Sequence, residues 1–262
     1  WGQTGPLAQR AGHEHNYMAL VGMLYLGGRT DELPSVPPTV AGDMGGGAMM
    51  LAFGIVCALF EAQKSGRGQV IDAAITDGSA LLMSLIYALK GAGQWRIERG
   101  VNLVDGGAHF YDAYECADDK YVSIGSIEPQ FYQLLLEKTG ITDAQFAAQM
   151  DRSAWPELKK KIAAVIRSKS RDEWCAIMEG SDVCFAPILD LDEAPNHPHN
   201  KARNTFIEIG GVTQPAPAPR FSRSVCAAPN GPPKAGQHTD EVLAEFGFGA
   251  DAVVKLRSSG AI

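Results

Sequence analysis

The sequence predicts a mixed α/β chain, and three observations carry that reading. Apolar helix-forming segments alternate with a short β-like run between residues 48 and 90. Two further β-like runs flank the turn signal Ala117-Asp118-Asp119, and helices with recognisable starts follow them. A Pro-rich stretch from Gly210 to Gly236 then leads to a last short helix. The expected organisation is an α/β piece over residues 1–90, a smaller α+β domain over 91–205, and a segment over 206–262 that returns to the first piece.

The first forty residues are rich in Gly, Pro and polar turn formers, interrupted by the apolar stretch Met18 to Leu26. Asp43-Met44-Gly45-Gly46-Gly47 opens an apolar segment that runs to residue 63 and stops at Ser65-Gly66-Arg67-Gly68. Its apolar run, Ala48 to Phe60, is too short to span a bilayer and reads as a buried core helix. Gln69 to Ile75 holds Val70 and Ile71 and reads as a buried strand, and Gly78 to Lys90 as a second apolar helix. Residues 91–107 are polar and glycine-rich, which suits a boundary.

Beyond them, Phe110 to Cys116 and Lys120 to Gly125 form a candidate hairpin. Helices are expected from Glu128-Pro129 to Lys138, after Ser153 with Pro156 in the first turn, and from the capping box Ser170 to Glu173. Val183 to Leu189 reads as a short strand, Leu191 to Arg203 as partly helical, and Thr239 to Phe246 as the final helix.

Composition narrows the function classes. The chain has 262 residues, 45% of them apolar, and a formal charge of −7, which argues against nucleic acid because phosphate binding needs a basic face. Five cysteines without a C-x-x-C pair argue against a disulfide framework or a zinc site, so reduced thiols and a cytoplasmic location are expected. No membrane partner is expected. The opening Trp1-Gly2-Gln3-Thr4-Gly5-Pro6 has no initiator Met and reads as a sequence entered in mid-motif.

Several residues are candidates for chemistry, each with a plainer alternative. Asp43 suits a helix N-cap, yet three glycines after it suit close approach of a ligand to bare backbone, with first-turn amides able to stabilise a thioester oxyanion. His13, in Arg10-Ala11-Gly12-His13-Glu14-His15-Asn16-Tyr17, reads most simply as a solvated surface histidine; with His15 it could suggest a metal site, but no third ligand cluster supports one there. Glu128 at a helix start suits the dipole as well as catalysis. The Lys159-Lys160-Lys161 run is most simply a solvated helix face, and His197 and His199 an exposed loop.

Taken together and in order, GQTGP, RAGHEHNY, AGDMGGG, SGRGQVIDA, RGVNLVDGGAHFYDAY, GSIEPQFY and GQHTDEVLAEFG resemble the α-methylacyl-CoA racemases of the family III CoA-transferase superfamily. The resemblance implies a partial Rossmann-like large domain, a small α+β domain and an interlocked homodimer, with an N-terminal CoA-binding segment missing before Trp1. It implies His13 and Asp43 as two opposed proton-transferring bases, with Glu128 of a partner chain beside the histidine. The substrate-binding set it suggests is Gly12, Glu14, His15, Asn16, Tyr17, Gly45, Gly46 and Tyr111. An acyl-CoA would be the substrate, with neither metal nor redox cofactor.

The implied reaction interconverts the two C2 epimers of a 2-methylacyl-CoA through an enolate. It needs a base, enolate stabilisation and a proton donor on the opposite face. A CoA-transferase with Asp43 as nucleophile, or an inactive interaction module, are the alternatives. Three positions depart from the family pattern. Glu14 stands where Asp follows the catalytic His, Thr39 where Asn precedes the catalytic Asp, and His109 where Pro is usual.

Overall fold

A computed structural model describes residues Trp1–Ile262. By internal contacts the chain divides into two units, Trp1–Ile188 and Leu189–Ile262, whereas the sequence places its boundaries near residues 90 and 205.

The first unit opens with two short helices, α1 (Glu14–Leu20) and α2 (Met23–Leu26). A π-wound lead, Val40–Met49, then runs directly into α3 (Met50–Ser65), which Gly66 ends in the left-handed conformation at φ 72°. The helices α4 (Ile75–Leu82) and α5 (Ser84–Gly91) follow. The remainder is built on a three-stranded antiparallel sheet of β1 (Tyr111–Glu115), β2 (Tyr121–Gly125) and β3 (Phe185–Ile188), in that order. Tyr111 pairs with Gly125 and Tyr121 with Ile188, which makes β2 the central strand. The helices α6 (Pro129–Thr139), α7 (Trp155–Ile166) and α8 (Arg171–Met178) connect β2 to β3.

Period-two and period-3.6 patterns account for this core. Val122 and Ile124 are buried on one face of β2, while Tyr121 and Ser123 are exposed on the other. Trp155, Leu158, Ile162 and Ile166 recur at helical spacing and form the buried stripe of α7. The expected capping box of α8 is present: Ser170 Oγ accepts from the Glu173 amide at 3.3 Å, and Glu173 accepts from the Ser170 amide at 2.8 Å. The main apolar core lies wholly between Ala108 and Val183. Residues 1–90 bury only Met18, Ala74 and Met83 among their apolar side chains.

Two expectations for residues 48–75 are corrected. Residues 69–74 form no strand, and Val70 is 94% exposed, because no neighbouring strand in this chain offers backbone partners. The apolar run 48–60 is helical but not buried: Leu51, Phe53, Val56, Leu59 and Phe60 are all exposed. Joined to its π-wound lead, the helix from Val40 to Ser65 has 26 residues and is apolar and long enough to cross a bilayer. By length alone that differs from the shorter span read from the sequence.

The lysine run is a further correction. Lys159 is turned inward, ion-paired with Asp112 and donating to the Gly106 carbonyl, so only its neighbours match a solvated face.

In the second unit, α9 (Pro198–Ala202) precedes a hairpin of β4 (Phe206–Ile209) and β5 (Val212–Pro215). Its two-residue turn, Gly210-Gly211, has φ of 61° and 78°, the geometry of a primed turn that glycine adopts without strain. The helices α10 (Thr239–Glu245) and α11 (Ala250–Ser258) close the chain. No residue of this unit is buried.

His109 sits fully buried in the main core. Its Nε2 is 2.7 Å from the Tyr132 hydroxyl, which itself donates to the Phe146 carbonyl, and its Nδ1 has no partner. Burial, aided by the nearby Lys159 charge, holds its pKa down at about 4. Above pH about 6.5 the ring is neutral in both folded and unfolded chains, so folding is not penalised. As pH falls from there towards about 4, the unfolded chain takes up a proton that the folded chain refuses, and stability drops. The expected loss from this group is about 3 kcal/mol across that window. Denaturant unfolding at neutral and acidic pH should show this component vanish in His109→Leu; an unchanged slope would contradict it.

Candidate active site

His13 and Asp43 line one cavity of about 570 Å³, together with Gly12, Glu14, His15, Tyr17, Pro38 and Thr39. The two elements that carry the pair are adjacent. His13 is the N-cap of α1, with extended backbone at φ −130° and ψ 173°. Its amide donates to Asn16 Oδ1 at 3.0 Å, and its carbonyl accepts from the Asn16 and Tyr17 amides. The Tyr17 hydroxyl donates to the Gly12 carbonyl at 2.5 Å, which pins the residue before His13. Trp1 stacks edge-on against Tyr17 and lies so near Gly12 that a Cβ there would fall 2.6 Å from its ring. The glycine at 12 is needed for that approach.

Asp43 stands in the first turn of the π-wound lead and is not an N-cap, a place taken by Thr39 at φ 58°. Glu14 joins the two elements. Only 7% exposed, its carboxylate accepts from the amides of Thr39 at 2.5 Å, Gly42 at 2.7 Å and Asp43 at 3.1 Å. Those first-turn amides are therefore occupied from within the chain and are not free to hold a thioester oxygen. A carboxylate at a helix N-terminus is stabilised there by the dipole as well.

The glycine cluster has a packing cause. A Cβ on Gly42 would meet Glu14 Cγ at 2.6 Å, one on Gly46 would meet Ser79 Oγ at 2.5 Å, and one on Gly47 would meet Ile75 at 3.0 Å. A Cβ on Gly45 would meet Leu82 at 3.2 Å. These residues let the Asp43 segment lie directly on α1 and α4. Neither Gly45 nor Gly46 lines the cavity, and Asn16 serves the α1 start.

Tyr111 and Glu128 lie elsewhere. Tyr111 lines a second cavity of about 590 Å³ over the sheet, with Arg29, Asp112 and Cys184 among its walls. Glu128 is exposed at the N-cap of α6, near enough to Cys184 for its charge, after burial, to raise that thiol's pKa. Arg29 grips Asp112 with two hydrogen bonds of 2.9 and 2.8 Å, and that contact raises the guanidinium pKa. Sequence reasoning passed over this pair and Pro38, because each is ordinary in its local context and acquires a role only through a partner tens of residues away. No cluster of three His, Cys, Asp or Glu side chains suited to a metal ion is present.

This pairing of a histidine at one helix start with an aspartate in an adjoining glycine-rich helix start accompanies a family match. The model for CoA-transferase family III matches residues 1–239, and the chain belongs to that family. Within it the chain is 44% identical to mouse α-methylacyl-CoA racemase over 261 residues, 98% of this chain and 68% of the mouse protein. The human α-methylacyl-CoA racemase is 41% identical over 98% of this chain and 68% of its own length. A CAIB/BAIF family protein from Brucella suis shares the fold, with a TM-score of 0.76 and 23% identity over 94% of this chain and 65% of that one. The chain thus spans about two thirds of the length of the relatives it matches.

Proposed function

We propose that this chain carries the two-base centre of an α-methylacyl-CoA racemase, interconverting the 2R and 2S forms of a 2-methylacyl-CoA. The observation that carries this reading is an imidazole and a carboxylate, His13 and Asp43, on the walls of one cavity. One base takes the proton α to the thioester carbonyl, the C–H electron pair passes into the enolate, and the other base delivers a proton to the opposite face. With the amides of Gly42 and Asp43 held by Glu14, and those of Asn16 and Tyr17 turned to the His13 carbonyl, the Glu14 and His15 amides at the start of α1 are the donors left for the enolate oxygen.

Tyr111 and Glu128 both lie apart from this cavity, and the reading proposed for Glu128 is an assembly of two copies. In it Glu128 of one copy would approach His13 of the other and stabilise its imidazolium. The reaction draws on these side chains alone, and CoA enters as part of the substrate.

A single enantiomer of a 2-methylacyl-CoA incubated with the chain in deuterated water tests the proposal. Expected are α-deuterium in the product and formation of both C2 epimers from the one supplied. Transfer of CoA to an added carboxylic acid without α-deuterium would overturn it in favour of an Asp43 nucleophile.

A further inference from the structure

We propose that Glu14 is a positioning residue that sets the separation of His13 and Asp43, an inference that rests on the two-base reading. Four observations carry it. Glu14 follows His13 directly in the chain, so its backbone moves with the histidine. Its carboxylate is buried and holds three amides of the other element, one of them Asp43's own. Gly42 is the residue that admits it, since a Cβ there would lie 2.9 Å from Glu14 Oε1. Thr39, a β-branched residue at φ 58°, is held by the same carboxylate in a backbone region such residues avoid.

A buried carboxylate with three backbone donors is a strong clamp, because charge-assisted bonds are short and directional. It fixes Asp43 through the backbone rather than through the side chain, and leaves the Asp43 carboxyl to the cavity. Glutamine in its place would turn an amide NH₂ towards one set of N–H donors, leaving donors facing donors. The clamp would open on that side while the volume stays the same. Aspartate keeps the charge but is one methylene shorter. Gly42→Ala would displace the carboxylate while leaving its charge intact.

The experiment uses the full chain with one enantiomer of a 2-methylacyl-CoA in deuterated water, alongside amide hydrogen exchange read by mass spectrometry. Glu14→Gln and Gly42→Ala should each lower racemisation roughly 100-fold, the scale of a 1 Å misplacement of a catalytic group. KM should stay within about threefold, since the loss falls on the transition state. From the enantiomer deprotonated by His13, deuterium return into recovered substrate should fall much less than racemisation, because His13 still works. Glu14→Asp should recover part of the rate. In both disabling variants, exchange at the amides of Thr39, Gly42 and Asp43 should accelerate.

Wild-type racemisation in Glu14→Gln would overturn the inference, as would unchanged protection of those three amides in the variants. A wild-type chain that exchanges no α-proton defeats the two-base reading instead, and the clamp is then judged on amide protection alone. If Glu14→Gln does not fold, Gly42→Ala decides the matter.

Discussion

Asp43→Asn is expected to abolish racemisation, by about 1,000-fold or more, while one enantiomer continues to exchange its α-proton with solvent. Asparagine matches aspartate in shape, so the backbone hydrogen bonds from Gly42 and Asp43 to Glu14 survive. What is lost is a group able to carry a proton on that face of the enolate. The enantiomer whose α-proton faces His13 can still be deprotonated and reprotonated from the same side, picking up deuterium without inverting. The enantiomer facing residue 43 should do neither. His13→Ala should give the mirror result, with exchange retained on the opposite enantiomer.

This asymmetry separates a two-base centre from a single base and from a nucleophile. A single mobile base would lose exchange of both enantiomers together or of neither. An Asp43 nucleophile would leave α-exchange untouched and abolish acyl or CoA transfer instead. Chiral analysis of recovered thioester, with mass spectrometry of the α-deuterium, reads all three cases. Retention of racemisation in Asp43→Asn would exclude the assigned pair.

The helix starts that carry His13 and Asp43 are legible locally, but their pairing as bases is not: each residue alone has a plainer reading, and only the ordered motifs that resemble the racemases join them. His13 and Asp43 stand at helix starts, and helix starts announce themselves through caps, glycines and the onset of an apolar run. The hairpin of β1 and β2 and the box that begins α8 are visible for the same reason: their determinants lie within a few residues. What the sequence conceals is the contact that joins these pieces. Glu14 resembles any acidic residue in a first turn, and only the fold brings its carboxylate to Thr39, Gly42 and Asp43, 25 to 29 residues away. The glycines after Asp43 mislead in the same way, since a ligand and a neighbouring helix demand the same missing Cβ.

Burial is the other quantity that sequence pattern gets wrong. The apolar composition of residues 48–60 predicts a helix interior to the core, and the helix forms because its propensity is local. Whether it is covered depends on what lies against it, and here Gly54 faces Ile71 while Phe53, Val56 and Phe60 are exposed. The failed strand at 69–74 has the same origin, because a strand is a property of a pair.

The glycine contacts make the second large prediction, and it concerns stability as well as activity. A Cβ on Gly78 would lie 1.8 Å from the Gly46 carbonyl oxygen and 2.7 Å from its carbon. Both are backbone atoms in helical segments, so no side chain can rotate away, and α4 must move by more than an ångström. Overpacking of this severity costs about 3 kcal/mol, at the upper end of the usual range. Residues 1–90 have few buried apolar side chains with which to absorb it. Gly78→Ala should therefore lower the melting temperature of the chain and, by displacing the Asp43 segment, reduce racemisation roughly 100-fold. Gly91→Ala is the matched control. It sits at the end of α5 with nothing within 4 Å of its would-be Cβ and should leave stability equal or slightly raised, as alanine favours helix over glycine. Equal melting temperatures for the two variants would show that close backbone contact between α4 and the Asp43 segment does not hold the site together.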